Sequence, residues 1–264
     1  MNYGSYLSTS GVLASMRRMD VIANNLANAN TTGYKPDFVI PAERPAERVE
    51  GRSPFSDPLA PPQPILERLG GALRFDRDRI DPRQGPLEKT GLEEHLALRG
   101  RGFFALAPTS GRVRRGDPVD MTRDGALVVD RDGTLRVASN GRALLGENGR
   151  PVRIDPAQRF AVDESGRIYQ NNSEVARIRI VAPRDPTTLE KRGDNILVAR
   201  GPIDRVPDGE ASLAQGMLEG SAADPVVSMT ELIRQSRMLE ANLRMIQYQD
   251  NLTGQAISGI TRIA

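Results

Sequence analysis

The sequence has no cysteine, no tryptophan and a single histidine, and each shortage removes a class of chemistry. Without thiols there are no disulfides and no thiolate metal sites, and the redox compartment stays open, because a cysteine-free chain suits cytoplasm and periplasm alike. His95 alone cannot build a histidine cluster. Aromatic side chains are sparse, with six Phe and five Tyr, so the apolar material is mainly aliphatic and suits helices and slim strands better than a ligand-stacking pocket. No run approaches the roughly 20 apolar residues that span a bilayer. The first twenty residues lack the basic start, continuous apolar run and small-residue cleavage site of a secretory signal.

Charge of one sign is also missing. The 36 basic residues nearly balance 34 acidic ones, leaving a net charge of +2 that reads as solvated surface. Lysine occurs only at Lys35, Lys89 and Lys191, and the densest basic group is Arg112, Arg114 and Arg115. A nucleic-acid groove needs more charge and interleaved aromatics. A convergent catalytic set is equally hard to find. His95 stands beside Glu94 and ahead of Leu96-Ala97-Leu98, where it reads as a polar residue at a strand start, and there is no P-loop, zinc or nucleophile-elbow pattern. The acidic turns at residues 130–133 and 163–166 lack the later ligands of a calcium loop. The expected catalytic, cofactor and metal residues are therefore none.

What is present is two helical ends around a strand-rich middle, and 264 residues are enough to bury a core. From Ser5 to Asn30 the residues Val12, Met16, Met19, Ala23 and Leu26 step by four and three, one stripe of a helix. Thr31-Thr32-Gly33 closes it, with Gly33 expected in a left-handed conformation and Tyr34 packing where the chain leaves. Near the other end Met229, Leu232, Leu239, Leu243, Ile246, Ile257 and Ile260 share one a/d heptad frame, weakened by Ser236, Asp250 and Thr253. A single helix over residues 226–262 would be about 55 Å long at about 1.5 Å per residue. A stripe so narrow predicts weak order until it meets a partner helix, either in another molecule or in an intramolecular hairpin. Asn24, Asn25, Asn28 and Asn30 lower helix propensity, and amides near a seam can fix register through specific hydrogen bonds; the plainer reading is a wet face ending in a cap. Arg237 and Glu240 sit at i and i+3, placed to pair within the helix or to reach a neighbour.

Between the helices, Pro41 to Pro64 holds seven prolines, which excludes helix and central strand and predicts an extended connector. From Leu87 to Arg200, short aliphatic runs alternate with Asp132-Gly133, Asn140-Gly141, Asn148-Gly149 and Ser165-Gly166 turns, the pattern of an antiparallel β-domain. Residues 175–183 read as one strand exposed on one face. The predicted class is α+β: an N-terminal assembly helix over 1–33, an extended connector over 34–86, a β-domain over 87–204, a return connector over 205–224 and a C-terminal assembly helix over 225–264, the two helices forming a coiled-coil-like pair.

Several segments resemble the flagellar rod and hook protein family. They begin with Asp20-Val21-Ile22-Ala23-Asn24-Asn25-Leu26-Ala27-Asn28-Ala29-Asn30-Thr31-Thr32-Gly33-Tyr34-Lys35, similar to the family's N-terminal signature. Gln84-Gly85-Pro86-Leu87-Glu88-Lys89-Thr90-Gly91 and the run from Leu96 to Phe104 resemble its entry into the β-domain, followed by Thr122-Arg123-Asp124-Gly125. Gln215-Gly216-Met217-Leu218-Glu219-Gly220-Ser221, then Arg237, Glu240 and Asn242, match its C-terminal pattern. Four blocks in the right order are more specific than any one, although residues 142–200 are similar only loosely. Relatives usually carry Asn-Val after the serine at 221, where this chain has Ala222-Ala223-Asp224-Pro225, and an Asn-Pro-Leu-Asp type turn where it has Leu92-Glu93-Glu94-His95.

The resemblance implies a non-enzymatic structural subunit of the flagellar basal body, exported unfolded without a cleaved signal and stacked in the rod that crosses the periplasm and transmits torque to hook and filament. Its partners would be copies of itself, other rod subunits and, in transit, the export apparatus, with no nucleic acid, no stable membrane insertion and no cofactor. The assembly residues would be the helix positions above with Gly33 and Tyr34 at the turn. Overall length and Pro36-Asp37-Phe38 favour the proximal over the distal rod subunit, with a hook-type subunit next. A soluble β-domain adaptor and a rod-associated cell-wall hydrolase are the readings from other classes.

Overall fold

A computed structural model describes residues 3–43, 73–75, 77–108 and 119–261. Most of the proline-rich stretch and the Arg112, Arg114 and Arg115 group lie outside the described residues. The chain divides into two compact units. One comprises residues 1–24, 37–78 and 226–264, and the other residues 25–36 and 79–225. The architecture is α+β, with a helix near each end and antiparallel strands between them.

The helical unit carries most of α1 (Tyr3–Ala27) and α2 (Pro225–Thr261). Pro225 opens α2 at its first position, where a missing N–H costs nothing and the fixed φ suits a helix. The Asp224-Pro225 pair that departs from the family pattern is therefore itself helix-start chemistry. Its 37 residues make a rod about 55 Å long. Within the stretch composition marked as connector, β1 (Pro41–Glu43) pairs antiparallel with β2 (Leu73–Phe75).

The β unit is built from β3 (Leu87–Lys89), β4 (Leu96–Gly100), β5 (Phe103–Leu106), β6 (Asp120–Thr122), β7 (Leu127–Val129) and β8 (Leu135–Val137). There follow β9 (Ala161–Val162), β10 (Arg167–Gln170), β11 (Ser173–Arg177), β12 (Ile180–Pro183), β13 (Leu189–Gly193), β14 (Ile196–Ala199) and β15 (Ile203–Arg205). Two more strands, β16 (Ala211–Gln215) and β17 (Met217–Glu219), occupy the segment whose composition suggested a return connector. The main sheet has the order β13-β14-β6-β5-β12-β15, all antiparallel. A three-stranded sheet orders β9-β10-β11, and β7 pairs with β8. β16 returns to pair with β4, and β17 with β3.

Strand β5 shows where the core sits. Alternation sends Phe104 and Leu106 into one apolar cluster, with Leu98, Leu135 and Ile168, and Phe103 and Ala105 into another, with Met121, Val181 and Leu197. All four residues are buried, so this strand has no wet face. Burying a side chain the size of Leu or Phe contributes about 1.5–3 kcal/mol, which is how a chain poor in aromatics still holds a core.

The turns follow their residues. Gly133, Gly141, Gly149 and Gly166 all have positive φ. Two further turns, Asn171-Asn172 between β10 and β11 and Asp194-Asn195 between β13 and β14, have both central residues left-handed, as tight hairpins require. Residues 175–183 do not form one strand. β11 ends at Arg177, and β12 begins at Ile180 in the other sheet. Ile178, 1% exposed, sits at the crossing, while Val175 is 46% exposed.

Candidate assembly site: terminal helices and a clamped turn

Two arrangements gather the candidate residues, one in each unit. In the helical unit the least exposed positions of α2 between residues 228 and 249 are Ser228, Leu232, Gln235, Leu239, Asn242, Ile246 and Gln249, alternating by four and three, with Ser236 beside them. In α1 they include Gly11, Ala14, Ser15, Arg18, Val21 and Ile22. A methyl group on Gly4 would come within 2.9 Å of Gln249 Nε2, and one on Gly11 within 3.1 Å of Asn242 Nδ2. Seven residues forward on α1 thus answer seven back on α2, so the two helices pack antiparallel.

The residues singled out by periodicity divide between this inner face and the outside. Leu232, Leu239 and Ile246 are half-buried on the α2 seam, whereas Met229 and Leu243, one residue beyond seam positions 228 and 242, are exposed. On α1, Val12 and Met19 are half-buried, Met16 is 50% exposed and Asn24 is exposed. The side chains of Ile257 and Ile260 lie outside the described residues. Leu13, Ile233, Met238, Met245 and Tyr248 join Met16, Met229 and Leu243 as outward apolar groups. Glu240 lies 3.9 Å from Arg244, one turn on, rather than against Arg237.

The second arrangement belongs to the β unit and holds the end of the N-terminal signature. Leu26 and Asn28 are half-buried here and Asn25 is buried. Helical bonding gives way after Ala27 to turns closed by Ala29 N–H to Leu26 O and Thr31 N–H to Asn28 O, both 3.1 Å. Gly33 has φ +65°, and its N–H donates to Glu219 O at 2.7 Å. A Cβ there would stand 2.4 Å from the Arg123 carbonyl carbon, so glycine is required twice over. The Thr32 hydroxyl donates to Asp124 Oδ1 (2.8 Å), and Thr32 O accepts from Asn195 Nδ2 (2.7 Å). Tyr34 is buried, its hydroxyl donating to Asn25 Oδ1 at 3.1 Å, with Lys191 Nζ 3.9 Å from the ring centre. Tyr34 O accepts from Ala222 N–H at 3.0 Å.

Beneath this turn three charges are sealed from water. Glu219 Oε1 accepts from Lys35 Nζ at 2.6 Å and from Gly85 N–H at 3.0 Å, and Oε2 accepts from Arg123 Nη1 at 2.9 Å. Lys35 also donates to Arg83 O, and Arg123 to the carbonyls of Leu98, Gly100 and Gly102. Burial pushes the Lys35 ammonium below the usual lysine range, against the pull of Glu219, and lowers Arg123 in the same way. Two cations on one carboxylate are tolerable in a dry site because each also donates to backbone carbonyls. Periodicity passed over Glu219 and Arg123. The available signal was a lone acid in the apolar run Met217-Leu218-Glu219, whose partners lie far away in sequence.

Elsewhere the groups are already spoken for. His95 Nδ1 lies 2.9 Å from the Thr90 hydroxyl. An open groove of about 280 Å³ is lined by Arg177 and Arg205, both paired with Glu147 and Asp208. Among the described residues no group of three acidic or histidine side chains converges as for a metal, and no helix is long and apolar enough to cross a membrane.

Known proteins share these two regions. Residues 6–35 match the family described as flagella basal body rod protein, and residues 214–259 match the flagellar basal body rod FlgEFG protein C-terminal family. The chain is 32% identical to the flagellar basal-body rod protein FlgF of Caulobacter vibrioides, over all of both chains. It is 28% identical to FlgF of Mesorhizobium japonicum, over 96% of this chain and 95% of that one. With the rod protein FlgG of Agrobacterium fabrum it shares 26% identity, over 93% and 95% respectively. The two family matches take in the α1 signature with its clamped turn, and the β17 carboxylate with α2. With full-length similarity added, the chain belongs to the flagellar basal-body rod protein family.

Proposed function

We propose that this structural rod subunit builds into the flagellar shaft through the outward faces of α1 and α2, meeting copies of itself and other rod subunits there. The observation that carries this is the set of apolar groups that the paired helices leave on their outer faces. Leu13, Met16, Met229, Ile233 and Leu243 are each 44% exposed or more, while Gly, Ser, Asn and Gln share the seam between the helices with Leu232, Leu239 and Ile246. Apolar groups turned to solvent on paired helices call for further helices around them. A helical shaft needs such a repeating, heterologous contact.

In this reading α1 and α2 are a coiled-coil-like pair, residues 34–86 carry an extended connector, and residues 87–204 hold the heart of a β-domain that spaces the wall. The assembly positions are those named from periodicity, including Ile257 and Ile260. The subunit is exported unfolded without a cleaved signal, passes the export apparatus and works in the basal-body rod, without a cofactor and without catalysis. It takes the proximal position, supported by higher identity to the two FlgF relatives than to the FlgG relative. FlgG similarity over more than nine-tenths of the chain makes the distal position the second reading.

The test replaces the native chain by a Met229→Asp/Leu243→Asp variant in cells. Expected are lost swimming and basal bodies without a complete rod, while the purified variant melts as the parent does. Normal rods would overturn the reading.

A further inference from the structure

The helix pair has an inner seam that hydrophobic packing explains only in part, because polar positions alternate with Leu232, Leu239 and Ile246. At two positions one heptad apart, α1 offers no side chain at all and α2 offers a carboxamide. Each amide lies flat over its glycine. The nitrogen, carbon and oxygen of the Gln249 amide are 2.9, 3.2 and 3.3 Å from where a Gly4 Cβ would stand, and those of Asn242 are 3.1, 3.3 and 3.4 Å from a Gly11 Cβ. With three atoms so close, an added methyl at either glycine obliges the facing amide to shift, and whether it can do so within the seam decides the sign of the effect.

Gln249 Oε1 is buried and finds no donor among the described residues, so the side chain is not held there by a hydrogen bond of that oxygen. It occupies the room that Gly4 leaves. Glycine is otherwise a poor choice inside a helix, because it gives up more backbone freedom than any other residue.

We infer that Gly4 and Gly11 are slots for the Gln249 and Asn242 amides, and that these slots, more than apolar burial, select α2 of the same chain as the partner of α1 and fix the antiparallel phase of the pair. The slots exclude a slip of one, two or three residues, which would set the Asn242 amide against Val12 or Ser10, Leu13 or Thr9, and Ala14 or Ser8 in turn, and they reject a partner helix carrying branched apolar groups at those positions. Apolar residues off the seam, Met229 and Leu243 among them, are left outward for other contacts. The inference concerns pairing within one chain and stands whether or not the chain polymerises, so it fails separately from the assembly reading.

The sign of a glycine-to-alanine change decides it. Gly254, also in α2, has nothing within 4 Å of where an added methyl would stand, so Gly254→Ala raises helix content by propensity alone. Gly11→Ala carries the same propensity gain. If Gly11 is a slot, Gly11→Ala in the full chain lowers the melting temperature of the far-UV helical signal and speeds protease cleavage within α1. Trimming the amide as well, in Gly11→Ala/Asn242→Ala, restores both towards the parent, a coupling that two independent sites would not give. Should Gly11→Ala instead gain helicity as Gly254→Ala does, or should the second change add to the damage of the first, the slot is wrong. The rescue arm keeps the test decisive even if the single variant loses the pair entirely.

Discussion

Lys35 and Glu219 stand 184 positions apart in the chain, and their charged ends meet at 2.6 Å with neither side chain more than 1% exposed. The pair joins the exit from α1 to the strand that precedes α2, and Arg123 from the middle of the chain completes it.

Removing the carboxylate leaves two buried cations facing each other. Glu219→Gln keeps the shape and loses the charge, and breaking a buried pair in this way costs about 3–5 kcal/mol. Urea unfolding of the parent and the variant measures it. Lys35→Met costs less, because Arg123 still holds the carboxylate; equal losses would mean that the two cations do not share it.

Gly33 tests the turn itself. Gly33→Ala meets a left-handed penalty of about 1–2 kcal/mol and a backbone collision with Arg123 that no side-chain rotation relieves. The expected result is a lower melting temperature for the β unit. Gly141→Ala is the comparison, because it bears a similar positive φ with nothing within 4 Å of the added methyl.

Acid acts first on the surface network. The Arg177 guanidinium holds the Asp208 carboxyl below its ordinary value of 3.8, and Arg184 does the same for Asp204. A depressed carboxylate contributes stability that is present above the unfolded value and lost as pH falls through the folded one. The loss therefore begins below about 3.8, and Asp208→Asn flattens part of it in melts run between neutral and acid pH. Lys35 works at the other end. Its lowered folded value makes stability rise with pH between that value and 10.5, and Lys35→Met removes the rise.

The sequence made the helices and turns legible because those signals are local. Val12 and Leu26 on one stripe, or Asn148-Gly149 between aliphatic runs, can be recognised within a dozen residues. The α2 seam was half legible. Leu232, Leu239 and Ile246 follow from apolar spacing, but the positions between them are polar, and a search for apolar partners moves to Met229 and Leu243 one residue away. Nothing local could give Gln249 against Gly4 or Lys35 against Glu219. Those choices answer to partners brought close only by folding, and the split of residues 175–183 between two sheets has the same origin.

The strand order has one more consequence. Among the described residues, β3 and β4 have their ladders only with β17 and β16, which lie more than a hundred positions later. Until residues 211–219 arrive, Leu96–Gly100 is an open edge, Leu213 is missing from the core, and Lys35 and Arg123 have no counter-charge. Contacts that span so much chain are costly to close and form late. The β unit therefore shuts only when nearly the whole polypeptide is present, and a chain that ends before residue 211 keeps its edge open.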